Sequence, residues 1–190
     1  MIRALNLDRR YNDTKEEYIS YLDDIMERQV PCNGYYTSLV EDSLQNITGR
    51  KHALLTNTGS IALLLSLFVN KIGKGDEIIT TNYSSPASLA YILVAGATPI
   101  FCDVDHTGNM IVDTLESLLT DNTKAIVGTG LYGDMYNHTV ISSFAIKHSL
   151  VYINDAAQSM FSKWEGKDSL ACGDIVAMSH AENKPLPALG

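Results

Sequence analysis

The sequence contains 190 residues, of which 45% are hydrophobic and 19% charged, a composition typical of a folded globular protein and not of a disordered or fibrous one. Its 14 basic and 22 acidic residues give a formal charge of −8, which disfavours nucleic acid as a partner because such a chain repels phosphate backbones. The longest apolar run, from Ile61 to Val69, is too short to cross a bilayer, and the first residues lack the apolar core of a secretory signal. We therefore expect a cytoplasmic protein with no membrane partner.

Short apolar runs alternate with stretches of helical spacing along the whole chain. Helices are predicted near residues 13–29, 36–47, 60–71, 86–95, 112–119 and 138–148. Strands are predicted at residues 53–56, 77–81, 99–104, 124–127, 150–154 and 175–178. Because strands separated by helices pair in parallel and are covered on both faces, the sequence predicts an α/β fold, layered α/β/α with a mostly parallel sheet. Ligands of such sheets bind at the carboxyl ends of the strands.

Small polar residues follow the first predicted strand and begin an apolar helix. Gly59 allows a ligand to approach the backbone, Ser60 offers a hydroxyl, and the helix start offers unpaired N–H groups and a favourable dipole. These features predict a phosphate site. An ordinary helix cap would use the same residue types.

An acidic residue follows the fifth predicted strand. Asp155 there can hold a protonated ring nitrogen, and Gln158, about one helical turn further on, can bond a neighbouring ring oxygen. The alternative is an aspartate that only caps a helix. The histidines and acids of the chain form no cluster with metal-ligand spacing, so no metal site is expected.

A lysine lies in the loop after the sixth predicted strand, where Pro185 and Pro187 exclude a regular helix. Lys184, held in such a loop over a strand end, offers an amine that can form a Schiff base with an aldehyde, although most loop lysines are simply solvated. A phosphate cradle, a carboxylate for a pyridinium nitrogen and such a lysine are together the parts that pyridoxal phosphate requires.

Several motifs support this interpretation by their order and spacing. They are Thr58-Gly59-Ser60-Ile61-Ala62-Leu63, Gly75-Asp76-Glu77-Ile78-Ile79, Gly96-Ala97-Thr98-Pro99, Leu131-Tyr132-Gly133, Asp155-Ala156-Ala157-Gln158, and Ser179 followed by Lys184. With them the chain resembles, nearly end to end, the DegT/DnrJ/StrS family of nucleotide-sugar aminotransferases, which are fold-type-I pyridoxal-phosphate enzymes. The resemblance implies that residues 1–190 form an aspartate-aminotransferase-like large domain, cut just after the Schiff-base lysine and without the C-terminal small domain.

The resemblance also implies roles for individual residues. Lys184 would be the Schiff-base lysine and proton shuttle, Asp155 the partner of the ring nitrogen, and Gln158 a contact to the phenolic oxygen of the ring. The residues implied to hold the phosphate are Gly59, Ser60 and Ser179. An aromatic ring is implied over the cofactor at the position of Ser85, with Tyr83 as the nearby alternative.

The implied reaction is amino transfer from an amino-acid donor to a keto group of a nucleotide-linked deoxysugar, in cell-surface polysaccharide or natural-product sugar biosynthesis, by a homodimer. One alternative is a sugar dehydratase relative, in which a histidine replaces the lysine; Lys184 favours transamination. The other alternative is a truncated, non-catalytic member of the family that only binds a partner.

Overall fold

The computed structural model describes residues 7–28, 32–181 and 183–188, which fall into two compact units that divide between Leu55 and Thr56. Across these ranges, no helix is both long enough and apolar enough to span a membrane.

The described residues of the first unit form two helices, α1 (Leu7–Arg28) and α2 (Tyr35–Thr48). They contact each other through Tyr36, whose ring centroid lies 5.4 Å from that of Tyr21 and whose hydroxyl donates to Asp24 at 2.9 Å. Helix α2 ends at Gly49, which has a φ of 69°, the left-handed conformation that glycine adopts most readily. None of the residues predicted to form the site lies in this unit.

The second unit contains a parallel sheet of five strands. They are β1 (Glu77–Thr81), β2 (Thr98–Cys102), β3 (Thr123–Thr129), β4 (Val151–Asp155) and, after a short hairpin of β5 (Lys163–Trp164) and β6 (Lys167–Asp168), β7 (Ile175–Ala177). Their order in the sheet is β2, β1, β3, β4, β7. Neighbouring strands run parallel throughout, as predicted.

Helices cover both faces of this sheet. On one face, α3 (Gly59–Val69) and α4 (Ala87–Val94) bury Leu67 and Ile92 in a cluster with Val127. On the other, α5 (Leu115–Leu118), which follows a 3₁₀ turn at Val112–Thr114, and α6 (His138–His148) complete a second cluster around Ile126. Because adjacent residues of a strand point to opposite faces, the apolar run in β3 serves both clusters. The layered α/β/α architecture predicted from the sequence is confirmed.

One predicted element is wrong: residues 53–56 do not form a strand. A strand is stabilised by ladder hydrogen bonds to a neighbour, and no described strand pairs with this segment. Its Leu55 N–H instead donates to the side-chain carboxylate of Glu41 at 2.8 Å. The apolar residues of this segment could not by themselves show that it has no neighbouring strand to pair with.

The strand ends that face α3 and α4 form a row of side chains. In the parallel register, Thr129 pairs with Asp155 and Asp155 pairs with Ala177, and each of these residues is the last of its strand. Residues in register on neighbouring parallel strands project to the same face of the sheet. The row therefore places a carboxylate between a hydroxyl and a methyl group.

A buried hydrogen-bonded cluster holds the end of β4 on the opposite face. The Tyr136 hydroxyl donates to the side-chain oxygen of Asn154 at 2.8 Å, and the Asn154 amide donates to the Ser169 carbonyl at 2.8 Å. Tyr152 donates to the Tyr136 hydroxyl at 3.0 Å and also bonds Nδ1 of His138, whose pKa burial lowers to about 4. Since Asn154 precedes Asp155, these bonds fix the backbone that presents the carboxylate.

Candidate active site

A cavity of about 260 Å³ lies at the carboxyl ends of β3, β4 and β7, on the face of the sheet that α3 and α4 cover. It is lined by the six residues that the sequence assigned to catalysis and cofactor binding, namely Gly59, Ser60, Asp155, Gln158, Ser179 and Lys184. The fold thus gathers residues from several separate segments of the second unit at the place where parallel α/β sheets bind their ligands.

The start of α3 offers backbone N–H groups at one end of the cavity. Thr58 is the N-cap: its hydroxyl accepts from the Ile61 N–H at 3.2 Å, and its carbonyl accepts from Ile61 and Ala62, each at 3.1 Å. The N–H groups of Gly59 and Ser60 have no partner among the described residues and are available to an anion. The same segment therefore caps the helix and leaves two N–H groups that could bind an anion, so the two interpretations of the sequence are compatible.

Gly59 allows the start of α3 to lie directly against the end of β7. A Cβ atom at this position would be 2.9 Å from the carbonyl oxygen of Met178 and 3.2 Å from the Cβ of Ser179. This close approach brings the serine after β7 to the same end of the cavity as the helix N-terminus.

Replacing Gly59 with alanine is expected to lower both stability and phosphate binding. The new Cβ would push α3 away from a backbone carbonyl that cannot move freely, and overpacking of this kind costs about 1–3 kcal/mol. Urea unfolding and a titration with inorganic phosphate would measure the two effects. Ser60→Ala, one residue further on, is the control for stability alone, because it removes a hydroxyl without a clash and should leave the unfolding midpoint nearly unchanged.

Asp155 lies at the floor of the cavity with only 3% of its surface exposed. Its carboxylate accepts hydrogen bonds from the Ser88 hydroxyl at 2.8 Å and from the Ala157 N–H at 3.2 Å. Burial raises the pKa of Asp155, while these two bonds and the positive charge of Lys184 act in the opposite direction. Within the described residues no basic side chain forms an ion pair with it, so the carboxylate is suited to a cationic N–H group of a ligand.

Gln158 lies beside Asp155 with a fixed amide orientation. Its side-chain oxygen accepts from the Tyr132 N–H at 3.2 Å. The amide nitrogen is then the free end of the group and can donate to an acceptor in the cavity. This arrangement is compatible with the predicted contact to a ring oxygen.

Lys184 is half-buried in the cavity wall, in a loop that its own hydrogen bonds close. The Lys184 N–H donates to the Ala181 carbonyl at 2.9 Å, and Nδ1 of His180 bonds the Leu186 carbonyl at 2.7 Å. Two prolines further restrict the backbone. These contacts restrict the backbone that carries the Lys184 side chain beside the cavity.

Among the cavity residues that the sequence analysis missed are three with side-chain hydroxyls, Ser84, Ser88 and Thr129. Ser88 is the side-chain partner of Asp155, and the run of serines after β1 was the available signal for it. Thr129 ends β3, so the rule that ligands bind at strand ends would have pointed to it.

No aromatic side chain of the described residues lines the cavity. Ser85 lines it at the position where the resemblance implied an aromatic ring. Tyr83, the alternative, packs its ring against Gly108, where a Cβ atom would lie 2.8 Å from the ring, and the neighbouring Tyr132 raises the pKa of Tyr83.

Comparisons with known proteins agree with this architecture. The model of the DegT/DnrJ/EryC1/StrS aminotransferase family matches residues 12–190. The pleiotropic regulatory protein of Geobacillus stearothermophilus is 34% identical over 190 residues, which cover 100% of this chain and 51% of that protein. GDP-perosamine synthase of Caulobacter vibrioides is 37% identical over 145 residues, or 76% of this chain and 39% of the synthase.

The fold also matches solved structures. The crystal structure of NtdA from Bacillus subtilis with bound cofactor PMP has a TM-score of 0.91 at 26% identity, covering 100% of this chain and 43% of NtdA. The chain spans about half the length of the curated relatives that it matches.

Proposed function

The chain belongs to the DegT/DnrJ/EryC1/StrS aminotransferase family, and from that premise we propose that it is the cofactor-binding part of a pyridoxal-phosphate-dependent sugar aminotransferase. The amino group would pass from an amino-acid donor to a keto group of a nucleotide-linked deoxysugar. The observation that carries this proposal is the buried carboxylate of Asp155, which has no ion-pair partner among the described residues and lies in the same cavity as Lys184 and the N–H groups at the start of α3.

The residues of the cavity fit pyridoxal phosphate in shape and charge. The N–H groups at the start of α3, with the hydroxyls of Ser60 and Ser179, would bind the phosphate. Asp155 would hold a proton on the ring nitrogen, because a buried carboxylate without an ion-pair partner is stabilised by a cationic N–H. The chemistry that bound pyridoxal phosphate supplies is delocalisation of the negative charge left when a substrate carbon loses its proton.

The remaining steps belong to side chains of the chain itself. Gln158 would donate from its amide nitrogen to the phenolic oxygen of the ring, since its amide oxygen is held by Tyr132. The Nζ atom of Lys184 would carry the proton that leaves one carbon and returns to another, which is the general acid–base role of a positioned amine. Ser88 would keep the Asp155 carboxylate in place.

The wider assignments of the resemblance belong to the same proposal. Residues 1–190 would correspond to the large domain of a longer enzyme, which is supported by their match to about half of each relative. A homodimer, a cytoplasmic location and a role in polysaccharide or natural-product sugar biosynthesis are proposed on family membership. GDP-perosamine synthase is a relative whose name fits a nucleotide-sugar substrate.

The test is a half-reaction with the chain as given. The protein is incubated with pyridoxal phosphate and L-glutamate, and pyridoxamine phosphate and 2-oxoglutarate are quantified; one of each should form per amino group transferred. Lys163→Ala, an exposed lysine outside the cavity, is the control and should behave as the wild type. Cofactor binding without amino transfer would support the non-catalytic alternative instead, and a folded chain that binds no pyridoxal phosphate would overturn the proposal.

A further inference from the structure

Two hydroxyl oxygens in the cavity residues are buried without a hydrogen-bond partner among the described residues, Oγ of Ser84 and Oγ1 of Thr129. Leaving a buried hydroxyl unpaired costs about 1–3 kcal/mol. Rotation about χ1, between staggered wells, can turn either oxygen toward the cavity that its residue lines. The cavity residues therefore include two hydroxyl donors that hydrogen-bond no other described residue.

The position of these hydroxyls follows from the strand order. Thr129 stands next to Asp155 in the row of strand ends, on the side of β3, whereas Ala177 stands on the side of β7. Ser84 follows β1, the other neighbour of β3. The anion cradle lies at the β7 end, because Gly59 approaches Met178 and Ser179. Asp155 thus separates an anion-binding end from a hydroxyl-bearing end.

Gln158 belongs to the hydroxyl-bearing end as well. Its amide oxygen is held by the N–H of Tyr132, which comes three residues after Thr129 in the loop that leaves β3. Its free amide nitrogen and the two hydroxyls are then donors on one side of Asp155. A neutral acceptor or a phenolate oxygen satisfies such a set, while a second phosphate would need positive charge that this end lacks among the described lining residues.

We propose that Thr129, supported by Ser84, is a cofactor-positioning residue that donates a hydrogen bond to the phenolic oxygen on the non-phosphate edge of the ring, beside Gln158. The inference deepens the proposed function and depends on it. Thr129 and Gln158 would then donate to the ring on the side opposite the phosphate. Because the two sides of the cavity would bind different groups, the ring would bind in one orientation.

The test compares pyridoxal phosphate with its 3-deoxy analogue, which lacks the phenolic oxygen. Thr129→Val keeps the branched shape and removes the hydroxyl, so it should raise the Kd for pyridoxal phosphate roughly 3- to 10-fold, the range of one neutral hydrogen bond. The Kd for the 3-deoxy analogue should not change. Thr129→Ser keeps a hydroxyl and should bind pyridoxal phosphate with the wild-type Kd. Ser84→Ala should raise this Kd, as Thr129→Val does. Equilibrium dialysis measures all of these constants without any need for turnover.

Ser159→Ala is the matched control, because the Ser159 hydroxyl is also buried and unpartnered but does not line the cavity. It should change neither Kd. If Thr129→Val raises the Kd for both ligands equally, or for neither, while the wild type binds pyridoxal phosphate, the inference is wrong and the proposed function stands. If the folded wild type binds neither ligand, the proposed function fails first.

Discussion

Lys184→Ala is expected to remove the covalent link between protein and cofactor and to slow amino transfer by roughly 10²–10⁴-fold, the contribution of a positioned acid–base group. Among the described residues, Lys184 provides the only side-chain amine that lines the cavity. After incubation with pyridoxal phosphate and reduction with borohydride, the intact mass of the wild type should increase by one reduced adduct, and peptide mapping should place it on Lys184. The variant should show no such increase.

Lys184→Arg separates the charge of the side chain from its reactivity. An arginine keeps a positive charge near Asp155, but its guanidinium stays protonated and cannot attack an aldehyde. This variant should therefore also lack the reduced adduct, while the pKa of Asp155 stays closer to its wild-type value than in Lys184→Ala. An adduct of equal yield on another lysine in either variant would contradict the assigned role.

The architecture of the second unit was predictable because its signals are local. In β3, consecutive apolar residues such as Ile126 and Val127 are buried on opposite faces, and this pattern indicates a covered parallel strand before any partner is known. Residues 53–56 are also partly apolar but form no strand. Strand pairing depends on a segment that is distant in the sequence, and a local pattern contains no information about it. The end of β4 was also set too early, because Asp155 extends the strand through its pairing with Thr129 and Ala177.

The candidate site was predictable where the residue type itself is informative. A lysine followed by two prolines, an aspartate at a strand end and a glycine at a helix start each suggested a specific chemistry, and the structure gathers them in one cavity. Serine and threonine are weaker signals, because their role depends on what the fold places opposite them. Ser88 lies in a run of serines, but its role follows only from its bond to Asp155. Thr129 was missed because the predicted strand, residues 124–127, ended before it, whereas β3 continues to Thr129.

Asp155→Asn is expected to weaken pyridoxal phosphate binding and to lower the amino-transfer rate by roughly 10²–10³-fold, the cost of removing one preorganised electrostatic group from an enclosed site. The asparagine can keep both existing contacts, with its oxygen accepting from Ala157 N–H and its amide donating to the Ser88 hydroxyl. It cannot hold a proton on a ring nitrogen. Asp121→Asn, an exposed aspartate before β3, is the control and should leave binding unchanged.

The same substitution is expected to stabilise the chain when no cofactor is present. Burial raises the pKa of Asp155, so the folded state holds this proton more tightly than the unfolded state, whose carboxyl titrates near 4. Stability of the wild type then falls as the pH rises from about 4 through the raised pKa, and this loss persists at neutral pH. Asp155→Asn has no such charge to bury, so its urea midpoint should match the wild type near pH 4 and exceed it at pH 7.

If Asp155→Asn weakens cofactor binding and raises the urea midpoint of the cofactor-free chain, the aspartate has a binding role and not a structural one. A carboxylate that served only to cap the segment after β4 would lose stability on conversion to asparagine, and cofactor affinity would follow that loss. A carboxylate kept in a buried site for a cationic ligand instead destabilises the empty fold and contributes its stabilising interaction only when the ligand is bound. If Asp155→Asn lowers the urea midpoint at pH 7 in the absence of pyridoxal phosphate, the aspartate is structural and the assignment of the ring nitrogen to it is wrong.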